Sequence, residues 1–348
     1  MPLLNVSLWE NYSHALEALS GGRNTVVFDD LKLPSVMVRV PAFAVETVDT
    51  DLGTGIHPAF VVNTVAQSNF KVGMYNSFVY GSRAYSLPYK DPTCSAGYDT
   101  CPNYCLMKNQ GDTTRRVGWH MSTNWEDAAL ALLCIKNGQP SGNTDYGRHH
   151  TNTNQCGVRQ DGALPGLASG TARVLTGSGP ASWRHDGTYA GVADLVGNIW
   201  EWVDGMKIVD GKFYLPTDNY YTLAEASWPT DNVIIAAGAP PQLGVAGTDT
   251  LHTTGGPTAW KTVARSATYS ALSAAIKNRC QQAMIDPAFD ASSPVGSMYW
   301  NCAGERVPIR FGNWSNAGVG GVAALNLTGL RTGVGADVGF RLAYFGGV

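Results

Sequence analysis

The chain has 348 residues, 44% hydrophobic and 15% charged, with a formal net charge of −3. That is enough apolar material for a substantial core, while only 24 Lys and Arg leave no basic stripe for a nucleic-acid partner. No apolar run is long enough to span a bilayer, and 40 glycines with 18 prolines favour a loop-rich fold of short strands over a helical bundle.

The N-terminus, "MPLLNVSLWENYSHALEAL", lacks the basic flank and small-residue cleavage site of a signal peptide. Synthesis in the cytoplasm is expected, with any export by another route such as assembly into a particle. Residues 1–25 read as a short amphipathic helix ending in "SGG". "TVVFDD" and "SVMVRVPAFAVETVD" then alternate like strands, and short aromatic-rich strands follow to about residue 92. The clearest helix is "STNWEDAALALLCIKNG", residues 122–138. Thr123 and Glu126 have capping-box spacing, Trp125, Ala129, Leu132, Leu133 and Cys134 supply an apolar stripe, and Lys136 and Gly138 suit its end.

Residues 139–170 are polar and rich in Gly, Asn and Thr, and read as a long loop or insertion. "NIWEWV" and "KIVDGKFYL" look like neighbouring strands, the second with a "DG" turn. Residues 217–256 read as a second long insertion, and "VARSATYSALSAAIKNRCQQAMI" as a second helix stopped by Pro287. The seven cysteines include a cluster of Cys94, Cys101 and Cys105 without any C-x-x-C pair, which favours structural cysteine, free or disulfide-bonded, over zinc. His149 and His150 are adjacent and should point apart on any regular backbone.

Three motifs then occur in order: "GVADLVGNIWEWV" (residues 191–203), "ERVPIRFGNW" (305–314) and "VGFRLAY" (338–344). Together they resemble the formylglycine-generating-enzyme branch of the C-type lectin fold, which reads G-x-x-D-x-x-G-N-V-W-E-W, R-x-x-R-G-G-S-W and G-F-R. The resemblance implies an α+β C-type lectin fold of short twisted strands, two main helices and long loop insertions. We expect residues 1–36 to be an N-terminal appendage and residues 37–348 the lectin-like domain. Trp200 and Trp202 share one strand face and can each bury a ring. Gly197 and Asn198 suit the turn before them. Arg310 and Arg341 can lock the closing strands onto carboxylates or carbonyls, with Asp194 and Glu201 as candidate partners.

Oxidases of that branch resemble one another in a copper-binding cysteine pair just after G-G-S-W. No cysteine follows Cys302 here, so no enzyme is expected; an oxidase using other thiols, such as Cys280 and Cys302, is the alternative. The histidine cluster of the iron-dependent relatives is absent too. No cofactor is expected, although the family resemblance allows a structural calcium, for which "DPAFDASS" (286–293) has suitable oxygens.

Residues 312–341 contain eight glycines and three charged residues. They resemble, without a gap, the variable segment of diversity-generating-retroelement proteins, a lectin-fold group that includes phage tropism determinants. The framework matches at Gly312, Asn313, Trp314, Gly321, Val322, Ala324, Leu325, Asn326, Leu327, Arg331, Gly339, Phe340 and Arg341. Where that group has Asn, this chain has Ser315, Val319, Thr328, Gly329, Gly333, Gly335, Ala336 and Asp337, each reachable from an Asn codon by changing only adenines. Asn316 keeps the group's residue. The resemblance implies a hypervariable surface on a rigid scaffold, binding a cell-surface or other macromolecular ligand from a phage particle or a cell surface. A homo-oligomer is compatible with this, and a structural particle protein, as in a phage tail, is a further alternative. The small side chains of this copy predict a shallow, largely apolar face rimmed by Tyr299, Trp300 or Tyr344.

Overall fold

The computed structural model describes residues 3–110, 118–253, 255–259, 263–287 and 295–346. The first part of the chain forms α1 (Leu3–Leu19), β1 (Asn24–Phe28), β2 (Pro34–Pro41), β3 (Val61–Val62), β4 (Val65–Ala66), β5 (Asn69–Gly73), β6 (Phe78–Tyr80), β7 (Arg83–Tyr85), α2 (Thr100–Leu106), β8 (Trp119–Met121) and α3 (Asn124–Asn137). After some sixty residues without a strand come β9 (Trp200–Trp202), β10 (Lys207–Val209), β11 (Lys212–Tyr214), β12 (Val233–Ala236), β13 (Gln242–Val245), β14 (Gly255–Ala259), β15 (Ala264–Arg265), α4 (Ala267–Ser270) and α5 (Ala274–Gln282). The chain closes with β16 (Ser297–Asn301), β17 (Glu305–Arg310), β18 (Leu325–Gly329), β19 (Val338–Phe340) and β20 (Leu342–Tyr344).

The architecture is mixed, with few helices around short strands and a curled sheet. One sheet runs β1-β2-β5-β20-β8, all antiparallel. A larger one runs β14-β16-β18-β17-β10-β11-β12-β13-β15, with β9 pairing β17 and β19. β19 lies in the second sheet and β20 in the first, so the chain crosses between sheets at Arg341. That residue is fully buried, and its guanidinium donates to Glu201 on β9 and to the Gly73 carbonyl on β5.

Local chemistry explains the elements that the sequence announces. Thr123 and Glu126 form the expected reciprocal capping box at the start of α3. Asp210 and Gly211, both at positive φ, make the tight turn between β10 and β11. Elsewhere the structure corrects the expectation. The second helix is broken into α4 and α5, because Ser273 caps a new start by accepting from the Ile276 N–H. β9 and β10 are not paired with each other; β17 lies between them. The insertion at 217–256 is not mere loop, since β12 and β13 extend the large sheet. The boundary expected at residue 36 falls inside β2, whose partner is β1, and Glu17 at the end of α1 accepts from Thr25 and Arg39. All seven cysteines are free thiols.

Asp127 on α3 is buried beside Glu201. Burial and that neighbouring carboxylate raise its acid above the usual range. The folded state therefore keeps a proton that the unfolded chain releases at about pH 3.9. Stability thus falls as pH rises from that ordinary value towards the raised one. Asp127→Asn is expected to flatten this decline in urea midpoints measured between mildly acidic and mildly alkaline pH. An unchanged slope would contradict it.

Candidate binding surface

Residues 312–341 are fixed by a set of buried anchors. On β9, Trp200 and Trp202 meet Tyr299 and Tyr98 edge-on, each with ring centroids 5.9 Å apart, and the Trp202 indole donates to the Ala96 carbonyl at 3.0 Å. Glu201, between them, faces the other way and accepts two hydrogen bonds from Arg341, at 3.0 and 2.6 Å. The expected partner Asp194 does not bind either arginine; it accepts from the Gly177 N–H. Arg310 instead donates to Asn124 and to the Ala283 carbonyl. Trp314 packs with Ala172 and Ile199, and Phe340 stacks on Tyr104. Arg331 is half-buried, lies over the Tyr98 ring and pairs with Asp99, Glu225 and Glu305.

Between these anchors the chain reaches the surface. Ser315, Val319, Thr328 and Ala336 are exposed, and Asn316, Gly329, Gly333, Gly335 and Asp337 are half-buried. Asn313 draws three of them together. Its side-chain oxygen accepts from the Ser315 N–H and hydroxyl, its own N–H donates to Asn316, and its amide NH2 donates to Asp337. Gly335 is tied through its carbonyl to the Ser95 N–H, and Ala336 through its carbonyl to Arg173. Thr328 stands apart on β18, donating to the neighbouring Asn326.

Gly329 does not fit the reading of a position free to change. A Cβ there would lie 2.7 Å from the Val307 carbonyl and 2.8 Å from the Trp202 ring. Any side chain would have to displace a strand. The expected aromatic rim is also corrected: Trp300 is buried against His252, and Tyr344 lies in the other sheet against Trp119. Tyr299 is half-buried and spends one ring edge on Trp200.

A cavity of about 390 Å³ adjoins the short turn at Ala317–Val319. Gly318, Gly320, Gly321 and Val322 form one wall, and His149, His150 and Gln139 another. The two histidines do not point apart as expected. The chain turns sharply at residues 149–152, where the Asn152 N–H donates to His149 Nδ1, and the rings lie 4.5 Å apart, tilted by 46°. Burial and the neighbouring His150 lower the basicity of His149. Sequence reasoning missed this pair, since the turn that gathers the rings has no Pro-Gly or Asn-Gly signature.

The buried thiols are held protonated. Burial raises Cys280 to about 12 and Cys302 to about 11. The stretch after Trp314 holds no cysteine, so the residues present do not fit a copper-binding pair there. Among the described residues, no group of three or more His, Cys, Asp and Glu could hold a metal. The candidate calcium loop lies outside the described residues from position 288 to 294. Its first carboxylate, Asp286, is engaged by Arg265 and Tyr269. Among the described residues, no helix is long and apolar enough to cross a membrane.

No protein-family model matches this sequence. No curated protein matches it either. Among solved structures, the chain is similar to PvdO from Pseudomonas aeruginosa, with a TM-score of 0.36 and 16% identity over 92% of this chain and 97% of that one. It is also similar to the Major Tropism Determinant I1 variant (TM-score 0.32, 11% identity, 84% of this chain) and P3c variant (0.32, 12%, 89%). The chain spans 58% and 62% of those two chains. Similarity at this level assigns neither family nor function.

Proposed function

We propose that this protein is a ligand-binding module, not an enzyme. On this reading a C-type lectin scaffold displays residues 312–341 as a surface diversified by a retroelement. The ligand is a macromolecule, such as a cell-surface receptor met by a phage particle. The observation that carries the reading is the division within one segment. Trp314, Val322, Leu325, Leu327, Phe340 and Arg341 are buried, while Ser315, Val319, Thr328 and Ala336 face solvent. A rigid backbone with exchangeable outward side chains changes specificity without refolding and keeps the entropic penalty of binding low.

Deep sequencing of the codons for residues 310–341 in a source population, with flanking DNA, tests this. Variation is expected at the adenine-derived positions 315, 319, 328, 333, 335, 336 and 337, near a template copy and a reverse transcriptase. Position 329 is expected to stay Gly in folded, functional members, because of Val307 and Trp202. An invariant segment without a template would demote the display reading in favour of a structural particle protein or an oxidase. Size-exclusion chromatography and oxygen uptake with a thiol-containing peptide then separate those two.

A further inference from the structure

The cavity beside the Ala317–Val319 turn has a polarity that the display reading does not require. Its wall from residues 139–150 is lined by His149, His150 and Gln139. His149 Nδ1 accepts from the Asn152 backbone N–H at 2.9 Å, so in the neutral ring the proton sits on Nε2. The Thr144 hydroxyl accepts from the His150 N–H and lies 2.8 Å from His150 Nδ1. In the tautomer in which that hydroxyl donates to Nδ1, the ring proton sits on Nε2. His150 Nε2 faces the opposite wall, 3.5 Å from where a Cβ on Gly318 would stand. The Gln139 side-chain oxygen accepts from the Val295 N–H, which leaves its NH2 group as the donor end.

His149, His150 and Gln139 thus bring side-chain N–H groups to the lining, and among the described residues no Asp or Glu lines the cavity. Most of the remaining surface, including Pro140, Val196, Val295 and Val322, is apolar, and Ser141 and Thr144 add hydroxyls to it. The nearest acid on the same loop, Asp145, is paired with Arg148. A volume of about 390 Å³ falls within the usual range of small-ligand sites.

We propose that this cavity is a carboxylate-binding subsite, which takes a carboxylate on a short apolar stem, such as an acidic side chain of the ligand. His149, His150 and Gln139 donate to the oxygens, and the apolar walls cover the stem. The inference deepens the binding reading and rests on it for its biological meaning. One wall belongs to the 312–341 segment and the other does not, so the histidine wall is a constant anchor beside an exchangeable surface. Charge-assisted donors to a carboxylate are the strong kind of hydrogen bond, and the flanking positions Ser315 and Val319 set what else is accepted.

The test uses the full chain and hexanoate as probe, with hexylamine as control, followed by the ¹⁵N resonances of the histidine rings. Saturable shifts of His149 and His150 Nε2 by hexanoate and none by hexylamine are expected. His150→Ala removes a donor and should weaken hexanoate binding about tenfold or more. Gly318→Val leaves every donor in place and fills the cavity from the other wall; the position is exposed and its Cβ direction is open apart from His150. It should abolish the shifts while leaving the unfolding midpoint unchanged. Equal binding of hexylamine, unmoved imidazole resonances, or full hexanoate binding by Gly318→Val would overturn the proposal. The two readings fail separately: a hexanoate site in an invariant population sinks the display reading alone, and a diversified population without hexanoate binding sinks the subsite alone.

Discussion

Arg341→Ala is expected to destabilise the protein by about 3–5 kcal/mol, the usual effect of removing one partner from a buried ion pair. Arg341 is fully buried, and Glu201 is 1% exposed. The guanidinium meets the carboxylate through two hydrogen bonds and reaches the Gly73 and Ala193 carbonyls as well. Without it Glu201 keeps, among the described residues, only the Asn76 amide as a side-chain donor, and its charge loses the guanidinium that compensates it in the core. The loss also severs the junction at which the chain passes from β19 to β20. Urea unfolding followed by tryptophan fluorescence measures it. The double variant Arg341→Met with Glu201→Gln removes both charges and should recover much of the stability. A loss for Arg341→Ala below about 1 kcal/mol would show that the pair is dispensable.

Much of this junction was legible in the sequence. Trp200, Glu201 and Trp202 alternate on a strand, so the rings and the carboxylate had to face opposite ways, and Glu201 was among the candidate partners for an arginine. The α3 cap and the Asp210–Gly211 turn were legible for a similar reason, since both rest on residues within four positions of each other. What could not be read depends on distant partners. Nothing in "SATYSALSAAIK" breaks a helix by composition; α4 stops at Ser270 and Ser273 caps a new start, with Tyr269 and Cys280 both buried. The parallel pairing of β19 with β9 joins segments more than a hundred residues apart. On the candidate surface the buried frame of Trp314, Leu325, Leu327 and Phe340 could be read from the motif, whereas the half-burial of Asn316, Gly333, Gly335 and Asp337 could not. The tightness at Gly329 could not, because Trp202 and Val307 close on it from other strands.

Phe340→Ala carries the second large effect, about 3–5 kcal/mol as for other fully buried aromatic residues cut to alanine. The ring has no exposed surface, stacks on Tyr104 with centroids 6.2 Å apart and sits in the same cluster as Trp200, Trp202 and Leu342. Its neighbour in the segment, Ala336, is exposed, and Ala336→Ser should move stability by no more than about 0.5 kcal/mol. Val319→Asn should be equally mild. That contrast bears directly on function, because a display surface needs both kinds of position within a few residues. If Val319→Asn or Ala336→Ser were as damaging as Phe340→Ala, the outward positions would be packing residues and the segment could not vary. If all of them were mild, the segment would have no rigid frame, and its exposed side chains would present no fixed surface to a ligand. Only a steep difference between anchors and outward positions, read as urea midpoints on the same protein preparation, is compatible with a scaffold that changes its specificity while keeping its fold.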